Sequence, residues 1–145
     1  MLEGVVMSIT YKKGNIFHSR MKYLVCPVNT VGVMGAGLAL AFKKKYPCVF
    51  SEYKTHCQNG WAIGQILFTE DNVICFPTKI HWRNLSKLKY IDAGLDAFVM
   101  LCDGSAAFPA LGCGLGGLDF KTQVQPLMES YLENLSYEME VYLPR

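Results

Sequence analysis

Apolar residues along this 145-residue chain recur with two different periods. Where they alternate, or form short runs bounded by turn residues, they predict β-strands. Six such runs occur, over residues 5–11, 23–29, 64–70, 72–78, 105–111 and 139–143. Apolar residues spaced three or four apart predict helices over 38–46, 49–57, 88–102 and 124–135. This alternation of strands and helices is typical of the α/β class, in which helices cover a sheet.

Local signals refine the predicted elements. Ser86 is a predicted N-cap of the third helix, because serine side chains accept hydrogen bonds from the first helical turn. Pro126 is tolerated near the start of the last helix, where its missing N–H breaks no intrahelical bond. The stretch "TEDNV" (69–73) predicts a tight antiparallel hairpin within an otherwise largely parallel arrangement. The predicted sheet is therefore mixed.

Composition narrows the class of protein. The chain is 51% hydrophobic, but no apolar run approaches the ~20 residues that a membrane-spanning helix needs. The first residues lack the ordered regions of a signal peptide. We expect a cytoplasmic protein with no membrane association and a single domain over residues 1–145. The six cysteines form no Cys-x-x-Cys pair, so neither a disulfide framework nor a zinc site is expected.

The charged residues are unevenly distributed. A formal net charge of +2 is too small to mark a general nucleic-acid binder. Positive residues nevertheless cluster at 43–45 and again between Lys79 and Lys89. Each cluster is consistent with a solvated face, and local attraction to phosphate is the alternative.

Two glycine-rich loops follow predicted strands. We name them the first glycine loop (residues 32–37) and the second glycine loop (112–117). Ligands of α/β sheets bind beyond the carboxyl ends of strands, and glycines let backbone N–H groups approach a phosphate. Two such loops suit a diphosphate; the alternative is that the glycines serve tight turns and close packing. Neither a Walker loop nor a dinucleotide fingerprint is present, because Gly-Lys-Ser/Thr is missing and the first loop reads Gly-x-x-Gly-x-Gly before lysines.

Four motifs together resemble the macrodomain family. They are "KGNIF", "PVNTVGVMGAGLALAFKKKYP", "FPALGCGLGGLDF" and "FPTKIHWRNLSKLKYIDAGL". The last of these is similar to the DarG antitoxin branch, which histone-type macrodomains do not share. The resemblance implies a three-layer α/β/α fold with a mixed six-stranded sheet. It also implies ADP-ribose as the ligand, with no cofactor and no metal.

The resemblance assigns roles in ADP-ribose binding to individual residues. The second glycine loop closes over the diphosphate from the side opposite the first, and Asn29 meets the distal ribose unless its amide caps an Asx turn. Asn15 stands where many macrodomains have an aspartate that accepts from adenine, and Cys113 fits a small filler better than a nucleophile. The implied substrate-binding residues are Asn15, Ile16, Asn29, Gly35, Ala36, Gly37, Leu38, Thr78, Gly112, Cys113, Gly114, Leu115, Gly116 and Gly117.

Lys79 is the catalytic residue that the resemblance implies. A lysine at this Thr-Lys position serves the glycosidic centre, either by stabilising charge or by covalent attack. Gly116 stands where eukaryotic relatives have a partner aspartate, and Asp119 fits an N-cap of the last helix. This departure favours a nucleobase in DNA over a protein glutamate ester as the carrier of ADP-ribose.

The expected function is therefore an ADP-ribosyl hydrolase that removes ADP-ribose from single-stranded DNA, within a toxin–antitoxin or anti-defence system. Trp82 is a candidate for stacking on an unpaired base, with Arg83 and Lys87 on phosphates. We expect a monomer without a built-in toxin-binding region. The alternatives are an ADP-ribose 1''-phosphate phosphatase and a non-catalytic ADP-ribose reader module.

Overall fold

The structure is a computed structural model that describes residues 9–144. Six strands and four α-helices alternate along these residues. Their bounds are β1 Ile9–Lys12, β2 Tyr23–Asn29, α1 Gly37–Lys45, α2 Pro47–Gln58, β3 Leu67–Phe68, β4 Val73–Lys79, α3 Leu88–Leu101, β5 Ala106–Phe108, α4 Gln125–Leu132 and β6 Met139–Tyr142. A short 3-10 turn covers Ile16–His18, and a π-helical turn, Phe120–Val124, leads into α4.

The strands form one mixed sheet in the order β1-β6-β5-β2-β4-β3. Every neighbouring pair is parallel except β3 and β4, which pair antiparallel as the predicted hairpin requires. At the carboxyl ends of β2 and β4, a register shift after Val28 leaves Asn29 paired with Lys79. The two strand ends that carry predicted site residues are therefore neighbours.

Helices cover both faces of the sheet, which confirms the three-layer fold. Alternate residues of β2 point to opposite faces, as expected for a pleated strand. Tyr23 and Val25 belong to the core under α3 and α4, whereas Leu24 and Cys26 belong to the core under α1 and α2. Within residues 9–144, no helix is both long enough and apolar enough to cross a membrane.

Several predicted boundaries differ from the observed ones. Residues 5–8 of the first predicted strand lie outside the described residues. The predicted strand 64–70 shrinks to Leu67–Phe68, the two residues that pair with β4, and Gly64 has a φ of +87°, which an extended strand does not use. The predicted strand 105–111 ends at Phe108, directly before Pro109.

The helix starts also differ in part. Ser86 is not the N-cap of α3: Lys87 occupies that position, and the buried Ser86 hydroxyl makes no hydrogen bond within the described residues. Asp119 is confirmed as a cap, because its carboxylate accepts from the Thr122 N–H at 2.9 Å where the final helical segment begins. Pro126 lies in the first turn of α4, as predicted.

Candidate active site

A cleft of about 1270 Å³ lies over the carboxyl ends of the parallel strands. It extends from Asn15 and Tyr142, beside β1 and β6, to Lys79 at the end of β4. Of the fifteen site residues predicted from the sequence, fourteen line this cleft. The exception is Gly117, which faces the Leu85 side chain instead. The cleft thus gathers side chains and loops from strands that are far apart in sequence.

The first glycine loop leads into an uncapped helix N-terminus. Ala36 is the N-cap of α1 and offers no side-chain hydrogen bond. Gly37, Leu38 and Ala39, the first residues of α1, all line the cleft. The first N–H groups of a helix have no intrahelical partner and carry partial positive charge. This end of α1 can therefore bind an anionic group such as a phosphate.

Asn29 organises the first glycine loop from inside. Its amide oxygen accepts from the N–H groups of Val31 and Val33 at 3.1 and 3.3 Å, and lies 2.7 Å from the Tyr53 hydroxyl. Its amide nitrogen donates to the Val33 carbonyl at 2.8 Å. Burial raises the pKa of Tyr53, which keeps that hydroxyl a neutral donor. The oxygen is thus occupied, and a single N–H of Asn29 remains for a ligand.

The second glycine loop covers the cleft from the other side. Ser86 donates its backbone N–H to the Gly116 carbonyl at 3.0 Å, which ties the loop to the residue before α3. Leu115 is 70% exposed, and its Cδ1 lies 3.9 Å from the position that a Cβ on Gly37 would occupy. The two loops therefore approach each other over the middle of the cleft.

Lys79 lies between two loops at the β4 end of the cleft. Its Nζ is 3.4 Å from the Trp82 carbonyl oxygen and 3.4 Å from the Leu115 carbonyl oxygen. No carboxylate of residues 9–144 lies within ion-pair distance of this ammonium. An ammonium has three N–H groups, so one remains to point into the cleft when two contact these carbonyls.

The opposite end of the cleft is apolar with few polar groups. The Asn15 amide oxygen accepts from the Phe17 N–H at 2.9 Å and so caps the 3-10 turn. Sequence reasoning missed Phe17 and the end of β6, where Tyr142 and the following Leu143 line the cleft. The rule that carboxyl ends of parallel strands share one edge would have found Tyr142, since β6 was predicted to end near it.

Two side chains near the second glycine loop, Cys113 and Asp119, are poorly placed to take part in a reaction in the cleft. Burial raises the pKa of the Cys113 thiol to about 11, so the thiolate that a nucleophile needs is scarce at neutral pH. The hydroxyl and N–H of Thr122 hold the pKa of Asp119 below its usual value, and Asp119 lies outside the cleft. No aspartate or glutamate among the described residues lines the cleft, and none of their side chains form a three-ligand metal cluster.

The comparison with known sequences decides the family. A sequence profile of the Macro domain matches residues 25–127. The chain belongs to the macrodomain family. This macrodomain is 38% identical to a DNA ADP-ribosyl glycohydrolase of Mycobacterium tuberculosis over 94% of its own length. It spans only 42% of that relative.

Solved structures agree with this placement. The macrodomain of Thermus aquaticus DarG superimposes with a TM-score of 0.86 at 36% identity, covering 94% of this chain and 98% of that one. Thermosipho africanus DarTG in complex with ADP-ribose superimposes with a TM-score of 0.85 at 36% identity, covering 97% of this chain and 43% of that one. The predicted similarity to the DarG branch and the predicted fold class are both confirmed.

Proposed function

We propose that this macrodomain binds ADP-ribose and hydrolyses its bond to a nucleobase in DNA. The observation that carries the proposal is the position of Lys79. Its ammonium lies at the end of a cleft whose middle offers two glycine loops, and carbonyl oxygens on two sides fix its location. The activity for which the relatives are named, DNA ADP-ribosyl glycohydrolase, supports the same reaction.

The lining of the cleft supports one direction for the ligand. The N-terminus of α1 and the first glycine loop bind the diphosphate, because they provide free N–H groups and the positive end of a helix dipole. The adenosine lies toward Asn15 and Tyr142, and the distal ribose lies between Asn29 and Lys79. The remaining N–H of Asn29 donates to a ribose hydroxyl. The anomeric carbon is then beside the ammonium.

The chemistry follows from what surrounds that carbon. Hydrolysis breaks the bond between the ribose C1'' and a base nitrogen, and the transition state of such bonds has oxocarbenium character. Water supplies the hydroxyl on carbon, and the departing base takes the proton. The third N–H of Lys79 donates to the base as negative charge develops on it. With no acidic side chain among the described cleft residues, charge stabilisation of the leaving group is the main contribution of the protein.

The experiment offers three substrates to the protein in parallel. They are single-stranded DNA with one ADP-ribosylated base, a protein carrying ADP-ribose on glutamate, and ADP-ribose 1''-phosphate. The proposal expects release of free ADP-ribose from the DNA at a rate well above the other two. Preferential release of inorganic phosphate would support the phosphatase alternative. Binding of ADP-ribose without turnover of any substrate would support the reader alternative.

We also propose that the protein acts as a monomer in the cytoplasm, on DNA modified by an ADP-ribosyl transferase. Light scattering coupled to gel filtration tests the monomer, and a dimer mass would contradict it.

A further inference from the structure

Exposed apolar side chains are concentrated at the rim of the cleft. Among residues 9–144, nine large apolar side chains are exposed. Three of them lie elsewhere, namely Met100, Leu101 and Tyr137. The six others are on the loops that follow β2, β4 and β5: Val31, Val33, Ile80, Trp82, Leu85 and Leu115. Such clustering marks a binding surface more strongly than single exposed residues do.

Four of these residues lie on the neighbouring loops after β2 and β4, and we name them the exit patch: Val31, Val33, Ile80 and Trp82. The loops that carry them are joined, because Thr30 donates both its N–H and its hydroxyl to the Ile80 carbonyl, at 3.1 and 2.8 Å. Val33 and Trp82 line the cleft itself, whereas Val31 and Ile80 lie outside it. The exit patch therefore continues the cleft outward from Lys79.

The position of the exit patch identifies what would reach it. The cleft begins at β1 and β6 and ends at β4, with only the two-residue strand β3 beyond. A group attached to the distal ribose beside Lys79 leaves the cleft at this end. In a larger substrate, the parts that flank the group on the distal ribose then lie over Val31 and Ile80, which are 44% and 48% exposed.

The charge of the surrounding chain favours a polyanion. The segments 27–51, 72–91 and 104–118 contain the strand ends and cleft loops together with α1 and parts of α2 and α3, and they include none of the 12 acidic residues of the protein. They contain seven of its 14 lysines and arginines. Four of these cations, Lys79, Arg83, Lys87 and Lys89, lie in the segment that carries Ile80 and Trp82. The small net charge of the whole chain conceals this local excess.

A cation borders the exit patch. The Arg83 guanidinium carbon lies 4.7 Å from the centroid of the Trp82 ring, and Trp82 is 46% exposed. An exposed aromatic ring with a neighbouring cation can bind single-stranded nucleic acid, through base stacking and phosphate contacts.

We propose that the exit patch binds the unpaired nucleotides that flank the ADP-ribosylated base. This inference rests on the proposed function and adds the surface that recognises the strand. Flanking bases contact Val31, Ile80 and Trp82, while Arg83 pairs with a phosphate. A base in a duplex has its faces covered by its neighbours, so the exit patch selects single-stranded over double-stranded substrate.

The test compares two substrates that share the reacting bond. One is a short single-stranded oligonucleotide with one ADP-ribosylated base, and the other is the ADP-ribosylated nucleoside alone. The test variant replaces two exit-patch residues that do not line the cleft, Val31→Ser with Ile80→Ser. The matched control replaces an exposed apolar pair elsewhere, Met100→Ser with Leu101→Ser.

The exit-patch variant should raise KM for the oligonucleotide about tenfold, because two apolar side chains that contact the flanking bases are truncated. It should leave the nucleoside reaction and the affinity for free ADP-ribose unchanged, and the control should change neither. Arg83→Gln should also weaken binding of the oligonucleotide. The salt dependence of that binding should fall by about one released ion. Equal effects on both substrates, or no effect on either, would overturn the proposal.

A separate measurement tests the exit patch in case the protein lacks the proposed activity. If the parent protein releases ADP-ribose from neither substrate, binding of an unmodified fluorescent oligonucleotide is followed by anisotropy. Binding that weakens about tenfold in the exit-patch variant supports the exit patch on its own. Binding that is undetectable, or equal in parent and variant, overturns it and leaves a protein partner as the alternative occupant.

Discussion

The two glycine loops differ in what a methyl group would meet at their central glycines. In the first, a Cβ on Gly35 would touch only Val33, at an ordinary 3.5 Å. In the second, a Cβ on Gly116 would lie 2.3 Å from the Ser86 hydroxyl and 2.5 Å from the Gly112 carbonyl oxygen. Real Cβ atoms do not approach other atoms that closely. The protein therefore requires glycine at 116 but tolerates a side chain at 35.

Gly35 and Gly116 are therefore glycines for different physical reasons. Gly116 is explained by packing within the protein, because the loop lies directly on Ser86. Gly35 has no such explanation, and its backbone is not in the left-handed region. What remains for Gly35 is the space that a ligand would occupy in the cleft. Gly35 thus leaves open space in the cleft, whereas Gly116 is required by packing in the loop whose Leu115 carbonyl contacts Lys79.

Lys79→Ala has the largest expected effect. It tests whether the ammonium that contacts the second glycine loop takes part in the reaction. Turnover of ADP-ribosylated DNA should fall in kcat by about a hundredfold or more, because the ammonium acts on charge that develops in the transition state. Affinity for free ADP-ribose should change little, since the diphosphate is bound elsewhere. Single-turnover kinetics and calorimetry measure the two quantities.

Lys79→Arg is the matched variant for this prediction. It retains the charge but replaces a compact ammonium with a bulkier planar group, so it should also fail in turnover. A Lys79→Ala protein that clears DNA at the parent rate would remove Lys79 from the mechanism.

Gly35→Val tests whether the first glycine loop serves the ligand. We expect affinity for ADP-ribose to fall roughly tenfold to a hundredfold, because hydrogen bonds to a charged group contribute about 1.5–3 kcal/mol. The Tm without ligand should stay near that of the parent, since the new side chain meets only Val33. Thermal shift with and without ADP-ribose measures both. Unchanged affinity would mean that the loop is only a turn.

Gly116→Ala should show the opposite behaviour. The added methyl group collides with Ser86 and Gly112, so the free energy of unfolding should fall by about 1–3 kcal/mol. In a chain of this size the Tm then falls by about 2–4 °C per kcal/mol. Gly114→Ala is the control, because nothing lies within 4 Å of a Cβ there, and its Tm should match the parent. Equal Tm values for the two alanine variants would show that packing does not require glycine at position 116.

Ser86→Ala has the smallest expected effect. The variant removes a buried hydroxyl that makes no hydrogen bond among the described residues, so the free energy of unfolding should stay equal or rise by up to about 1 kcal/mol. Ser19→Ala is the comparison: its hydroxyl donates to Glu140 at 2.6 Å, and its loss should cost about 1 kcal/mol. Urea unfolding measures both. A larger loss at Ser86 than at Ser19 would show that the buried hydroxyl has a partner in solution.

Much of the cleft was predictable because its signals are local. The glycines of both loops and Asn29 at the end of β2 can be found from short motifs beside apolar runs, whereas Lys79 at the end of β4 was singled out only through the resemblance to the macrodomain family. Strand lengths were less predictable, as β3 and β5 show, because pairing with neighbours decides where a short apolar run stops being extended. The role of Asn29 was left between a ribose contact and an Asx turn; the Val31 N–H contact is that of an Asx turn, whereas the contacts to Val33 and Tyr53 could not be foreseen.

The sequence by itself determined the hydrophobic periods, the positions of the glycines and the exclusion of acidic residues from three segments, because these are properties of consecutive residues. Only the tertiary structure decided which segments meet. The sheet order β1-β6-β5-β2-β4-β3 brings Tyr142 beside Asn15 and joins the loop of Val31 to the loop of Ile80. The physical reason is that parallel strands align their carboxyl ends at one edge, whereas the order of strands depends on packing over the whole core.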